Sequence, residues 1–211
     1  MKTILAYGDS LTWGSVPGTG LRHPKGSRWP DALGEGLGSG FDVITDGMRG
    51  RLTAYDDHTA GCDRNGSRTL PTALYAHAPL DLVIILLGIN DLQPHIAGSS
   101  LAAMDGLRRL VTIIQTHVGG PDYPAPKVLI ISPPHLCETD DRIYAEYFLN
   151  MIDQSRDLAF KFEQISKEKS CAFFDAANVC KASPVDGVHM DEENTINLGK
   201  ALVPVVKGLL N

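Results

Sequence analysis

Gly8-Asp9-Ser10-Leu11 follows directly on the apolar run Thr3 to Tyr7. A serine at the end of a short buried strand, just ahead of a helical turn, can act as a nucleophile once a base reaches its hydroxyl. Near the other end the chain carries Asp186-Gly187-Val188-His189, with acid and imidazole three residues apart. That spacing lets one loop hold both groups, His189 to take the Ser10 proton and Asp186 to fix the imidazole tautomer. The chemistry such a trio performs is acyl transfer through a serine ester.

Attack on an ester carbonyl drives negative charge onto its oxygen, so donors must be in place beforehand. The Ser10 backbone N–H, at the start of a helical turn, is one candidate. Asn90, in Gly88-Ile89-Asn90-Asp91, offers a side-chain amide, and Asp91 is assigned to holding the following loop. A further backbone donor is expected from Gly47-Met48-Arg49-Gly50-Arg51, where glycine lets the chain approach a ligand closely. Gly50 is preferred; Gly47 competes, because it could equally terminate a strand. Trp13 is a candidate wall of the acyl pocket, with core packing as the alternative, and Arg49 puts a cation at the cleft edge.

The remaining histidines, His23, His58, His77, His95, His117 and His135, form no His-x-His pair and no His-Glu-x-x-His helix, so no metal is expected. His58 and His135 fall on loops at the predicted cleft edge and read as surface residues. No cofactor is expected either. Gly18-Thr19-Gly20 lacks the third glycine of a dinucleotide fingerprint, and no phosphate-cradling Gly-x-x-x-x-Gly-Lys loop exists.

These groups need a scaffold that gathers them. Five apolar runs read as strands: Thr3 to Tyr7, Phe41 to Thr45, Leu80 to Leu87, Lys127 to Ser132 and Ala172 to Asp175. Leu82 to Leu87 and Val128 to Ile131 are continuously apolar, as expected of parallel strands covered on both faces. Helical segments are predicted at Trp29 to Leu37, Leu70 to His77, Leu101 to His117, Tyr144 to Lys169 (with an interruption allowed) and Glu192 to Leu209. Alternation of strand and helix predicts an α/β sandwich around a doubly wound parallel sheet. Ligands collect outside the carboxyl ends of such strands, where all the chemical motifs fall.

At 211 residues, with no repeat and no linker-like stretch, one domain spanning 1–211 is expected. The formal charge of −6 opposes a polyanionic partner. Arg49, Arg51, Arg64 and Arg68 cluster, but Asp56, Asp57 and Asp63 lie among them, which predicts an internally paired loop rather than a nucleic-acid groove. No run approaches the roughly 20 apolar residues that span a bilayer, so no membrane partner is expected. Cys62, Cys137, Cys171 and Cys180 make no C-x-x-C pair. With no signal-peptide pattern, they predict reduced thiols and a cytoplasmic protein. Asn65-Gly66-Ser67 matches a glycosylation acceptor by chance.

Taken in order, Gly8 to Leu11, Gly47 to Gly50, Gly88 to Asp91 and Asp186 to His189 resemble the four signature blocks of the SGNH hydrolase (GDSL esterase/lipase) superfamily. The chain order Ser, Asp, His is also that of other α/β hydrolases. Gly8-Asp9-Ser10-Leu11-Thr12-Trp13-Gly14, Leu80 to Ile84, Tyr123 to Lys127 and Ile131-Ser132-Pro133-Pro134 are similar to its bacterial arylesterase/acyltransferase branch. The resemblance implies a flavodoxin-like three-layer α/β/α sandwich with a five-stranded parallel sheet. It also implies Ser10 as nucleophile, His189 as base, Asp186 as its support, and the Ser10 amide, Gly50 and Asn90 as oxyanion hole. The implied substrates are short acyl esters of aryl, alkyl or sugar alcohols, with transfer to an alcohol or hydrogen peroxide as the alternative and a homo-oligomer as the assembly. Three positions depart from the branch: Arg49 where relatives carry a small polar residue, Ser15 where some carry an aromatic, and His135 where some carry a third proline. A non-catalytic flavodoxin-like binding module is the competing reading of the same architecture.

Overall fold

The computed structural model of the protein describes residues 1–120 and 123–210. Five strands, β1 (Lys2–Gly8), β2 (Phe41–Gly47), β3 (Leu82–Leu86), β4 (Lys127–Ser132) and β5 (Ala172–Asp175), form one parallel sheet in the order β2-β1-β3-β4-β5. This is the flavodoxin-like order, with the switch point between β1 and β3. The seven helices described are α1 (Ser10–Trp13), α2 (Trp29–Leu37), α3 (Gly66–His77), α4 (Ser100–Gln115), α5 (Arg142–Tyr147), α6 (Ile152–Lys169) and α7 (Glu192–Leu210). Helix α2 packs on α7, while α3 packs on α4 and α4 on α6. Right-handed crossovers that reverse direction at β1 place the first pair on one face and the other three on the opposite face.

The strands are where the apolar runs predict them because only the sheet centre can bury a continuous apolar stretch on both faces. All five residues of β3 are buried, as are Ile4 to Tyr7 of β1 and Val128 to Ile131 of β4. Full burial of each Leu, Ile or Val there contributes about 1.5–3 kcal/mol. The edge strands β2 and β5 are only half-buried. Strand β3 starts later than the Leu80 expected. Asp81 lies outside the ladder, and its carboxylate accepts from the Thr3 amide at 2.8 Å and pairs with Lys2 at 2.8 Å.

One helix starts well before its expected first residue, and the interruption allowed for in another segment is present. Helix α3 begins at Gly66 rather than Leu70 because Asn65 caps it, its side chain accepting from the Ser67 amide at 3.1 Å. The glycosylation-like Asn65-Gly66-Ser67 is therefore a helix start, and Asn65 is buried with its amide donating to Asp56 at 2.7 Å. The Tyr144 to Lys169 segment is broken. Asp141 caps α5 by accepting from the Ile143 and Tyr144 amides, and Asn150, with φ of 62°, turns the chain before α6. None of the residues of α5 is buried, so it is a short exposed helix set beside the carboxyl ends of the strands.

Candidate active site

Register brings the three central loops together. Gly8 lies opposite Gly47 on one side and Leu86 on the other, so the chain leaves β1, β2 and β3 at one level. Ser10 opens α1, and the Asp9 side chain caps that turn by accepting from the Leu11 amide at 2.9 Å. As the first residue of a helix, Ser10 keeps a backbone N–H with no intrahelical acceptor.

The loop after β5 carries the other two groups. Asp186 Oδ1 accepts from the Val188 and His189 amides at 3.0 and 2.9 Å, which folds the Asp-Gly-Val-His turn onto its own acid. Asp186 Oδ2 bonds His189 Nδ1 at 2.8 Å, and His189 Nε2 bonds Ser10 Oγ at 2.9 Å. Burial acts to raise the Asp186 pKa, but the hydrogen bond and charge of His189, with the His189 and Gly18 amides, outweigh it and bring the value to about 2. An ionised Asp186 only accepts, so the imidazole proton sits on Nδ1 and Nε2 accepts from the serine hydroxyl. The Tyr144 ring meets the His189 ring edge-on, with centroids 5.7 Å apart.

The oxyanion candidates lie on the facing side. Asn90 begins a 3-10 turn after β3, and its Nδ2 sits 3.2 Å from both Asp9 Oδ2 and the Arg51 carbonyl, while Gln93 donates to its Oδ1 at 3.1 Å. The amide is thus held between the ends of β1 and β2. Gly47 and Gly50 differ in what surrounds them. A Cβ on Gly47 would lie 2.3 Å from the Trp13 backbone nitrogen, so this glycine lets α1 approach β2. Gly50 instead lines the cleft with φ of 74°, and among the described residues its amide has no acceptor.

The Asp91 carboxylate bonds the loop after β2 rather than the loop that follows it, which corrects the expected local role. Fully buried, it accepts from the Thr53 amide at 3.2 Å and from the Thr53 hydroxyl, and so ties the loop after β2 to the loop after β3. Burial raises its pKa to about 6, and burial likewise raises that of Asp9 to about 7.

Ser10, His189, Asn90, Gly50 and Arg49 all line one cleft of about 370 Å³. Trp13 does not, which corrects its expected place as a pocket wall. Helix α1 ends one residue later at the left-handed Gly14, and the half-buried indole is covered by Arg49 and Arg22, with guanidinium carbons 4.8 and 5.0 Å from the ring centroid. His58 and His135 are absent from the lining as well; His95 is present, 5.6 Å from the Tyr147 ring. Sequence reasoning missed the aromatic side of the cleft, Tyr144, Tyr147 and Phe148. Their i, i+3, i+4 spacing behind the Asp141 cap was the available signal, hidden because the segment reads as one long helix. Three of the four arginines of the cluster are paired, Arg51 with Asp46 at 2.7 Å, Arg64 with Asp57 at 2.7 Å, and Arg68 with Asp56 and Asp63 at 2.7 and 2.8 Å, whereas Arg49 has no carboxylate partner among the described residues.

The sequence model of the GDSL-like lipase/acylhydrolase family matches residues 6–196. Among solved structures, a carbohydrate acetylesterase family member from Sinorhizobium meliloti is 47% identical, with a TM-score of 0.97 over 100% of this chain and 99% of that one. The native aryl esterase of M. smegmatis is 39% identical, with a TM-score of 0.95 and full coverage of both chains. A lipase/acylhydrolase from Enterococcus faecalis, 19% identical with a TM-score of 0.69 over 100% of this chain and 98% of that one, shares the fold. No curated protein sequence matches. The family match runs from the strand before Ser10 past the loop that carries Asp186 and His189, and on it the chain belongs to the GDSL-like lipase/acylhydrolase family and is a carboxylic ester hydrolase of the SGNH type.

Proposed function

We propose that the protein hydrolyses short-chain, acetyl-type esters of aryl, alkyl or sugar alcohols through an acyl-Ser10 intermediate. The observation that carries this reading is the unbroken chain Asp186 Oδ2, His189, Ser10 Oγ, with links of 2.8 and 2.9 Å, opening into a cleft of about 370 Å³. A carbohydrate acetylesterase family member and an aryl esterase, similar over the full length, support the substrate class.

Ser10 Oγ attacks the carbonyl carbon and its proton passes to His189 Nε2; the ionised Asp186 stabilises the resulting imidazolium. The carbonyl π pair moves onto oxygen, facing the Ser10 and Gly50 amides and the Asn90 side chain. Both acceptors of Asn90 Nδ2 lie at 3.2 Å, the long end of the hydrogen-bond range, so a full oxyanion displaces one of them. Collapse breaks the bond to the alcohol oxygen, which takes the proton from His189. Water, deprotonated by His189, then attacks the acyl-serine and releases the acid and Ser10. An alcohol in place of that water gives acyl transfer, a second outcome favoured by the aromatic wall of Tyr144, Tyr147 and Phe148 beside the base.

The reading includes self-association, supported by exposed Ile143, Tyr147 and Leu149 on and beside α5 at the cleft mouth. Light scattering of the purified protein tests it, and a monomer at every concentration contradicts it. The activity is tested by 4-nitrophenyl acetate turnover in wild type and Ser10→Ala, with active-site titration by a serine-directed organophosphate. Loss of turnover with Ser10 and one label per wild-type chain are expected. A folded wild type that neither turns over nor labels refutes the esterase mechanism and favours the binding module.

A further inference from the structure

We propose that Arg49 makes this cleft selective for esters whose alcohol portion carries a carboxylate, so that the preferred substrates are acyl esters of anionic hydroxy compounds such as uronates or hydroxybenzoates. The proposal rests on the esterase reading and narrows it.

Of the four arginines in and after the loop that follows β2, three are engaged with carboxylates at 2.7 to 2.8 Å. Arg49 has no carboxylate partner among the described residues, yet it lines the same cleft as Ser10. It is held in place without being neutralised. Its guanidinium stacks 4.8 Å from the Trp13 centroid, and Trp13 belongs to the single helical turn that Ser10 begins. The stack therefore fixes the cation about one turn from the nucleophile. The other arginine on that ring, Arg22, adds a like charge rather than a counter-ion and donates from Nε to the Trp13 carbonyl at 2.6 Å.

The remaining charges leave this cation uncompensated. Asp57 and Arg64, both in the lining, neutralise each other at 2.7 Å, and the buried Asp186 is committed to His189. A guanidinium presents the planar donor fork that matches a carboxylate.

Its neighbours give the side of the cleft. Arg49, Tyr144 and His189 line the same cleft, and the Arg49 charge opposes the rise that burial, Asp186 and Asp141 impose on the Tyr144 phenol. Tyr144 in turn packs edge-on against His189, the group that returns a proton to the departing oxygen. Arg49 thus borders the leaving-group side.

The test is kcat/KM of wild type, Arg49→Lys and Arg49→Gln on 4-acetoxybenzoate and on its neutral methyl ester. A parallel pair, mono-4-nitrophenyl succinate and 4-nitrophenyl acetate, puts the charge on the acyl side. A loss common to both esters of a pair cancels in their ratio. The anionic-to-neutral ratio for the acetoxybenzoate pair is expected to be about tenfold higher in wild type than in Arg49→Gln. It should be intermediate in Arg49→Lys and shrink as salt is added. Equal ratios in wild type and Arg49→Gln overturn the proposal, as does an Arg49-dependent preference seen only with the succinyl ester. Normal turnover of neutral esters with equal ratios removes this proposal alone, whereas no turnover of any ester removes it together with the esterase reading.

Discussion

Gly18 donates its backbone N–H to Asp186 Oδ2 at 2.8 Å, the same oxygen that holds His189 Nδ1. A loop 168 residues earlier in the chain thereby supplies the last donor to the acid. Gly18 has φ of 65°, and a Cβ there would lie 2.6 Å from Val185 Cγ1. Gly18→Ala is expected to displace that donor and lower kcat about tenfold, since small misplacements of a catalytic constellation are costly. KM and kcat measured separately check this; unchanged kcat would show that Asp186 is held without Gly18.

Ser10→Ala and His189→Ala are each expected to lower kcat/KM by at least about 10⁴-fold while the protein stays folded, and the double variant to lose little more, because the pair acts as a unit. Asp186→Asn is also expected to lose turnover and to loosen the loop, because one of the two accepting oxygens becomes an NH2; with the carbonyl kept on the Val188 and His189 amides, that NH2 opposes the donors from Gly18 and His189 Nδ1. Steady-state kinetics with thermal unfolding separate the two effects. A Ser10→Ala variant with near wild-type turnover contradicts the assignment.

Asn90→Ala is expected to reduce kcat on the order of 10²- to 10³-fold if its amide faces the oxyanion. Rate loss with little change in KM is the signature of a contact made in the transition state. A variant that retains its rate would return Asn90 to bracing the ends of β1 and β2 through Asp9 and the Arg51 carbonyl.

Stability should fall as pH rises through the mildly acidic range. Burial raises Asp9 to about 7 and Asp91 to about 6 from the ordinary 3.8. Between these limits the folded protein binds more protons at the two sites than the unfolded chain does, so raising pH favours unfolding. The lowered carboxyls, Asp57 and Asp186 at about 2, act with the opposite sign, and their stabilisation is lost only as pH falls from about 4 towards 2. Urea midpoints at pH 5 and pH 8 are expected to drop in wild type and to drop less in Asp9→Asn. An equal or larger drop in the variant would remove Asp9 as the source.

Acyl chain length should be restricted. The cleft is about 370 Å³ and its aromatic wall stands on the short helix α5 and its C-cap Phe148 rather than on a long apolar lid. Acetate and butyrate 4-nitrophenyl esters are expected to be cleaved faster than the palmitate, and the reverse order would refute the short-chain reading.

The sequence by itself determined the strands and helices and pointed to Ser10, Asp186 and His189, which the fold joins in one hydrogen-bonded chain. Short β-branched and leucine-rich runs such as Leu82 to Leu86 suit central parallel strands, which satisfy the backbone and bury every side chain, and the loop after each strand then opens at one sheet edge. Ser10, Asp186 and His189 were legible because their residue types and spacing have few other uses in concert. Contacts between loops distant in sequence were not legible. Only the tertiary structure shows that Gly47 meets the α1 backbone while Gly50 meets the cleft. The same holds for Trp13, which carries Arg49 and is not among the cleft-lining residues, and for Tyr144, Tyr147 and Phe148, whose i, i+3, i+4 spacing is hidden in a segment that reads as one long helix. Local pattern records which face of an element is apolar. Which loop leans on which is set by three-dimensional packing, and here that packing pairs Arg51, Arg64 and Arg68 with carboxylates and leaves Arg49, alone of that cluster, without one among the described residues.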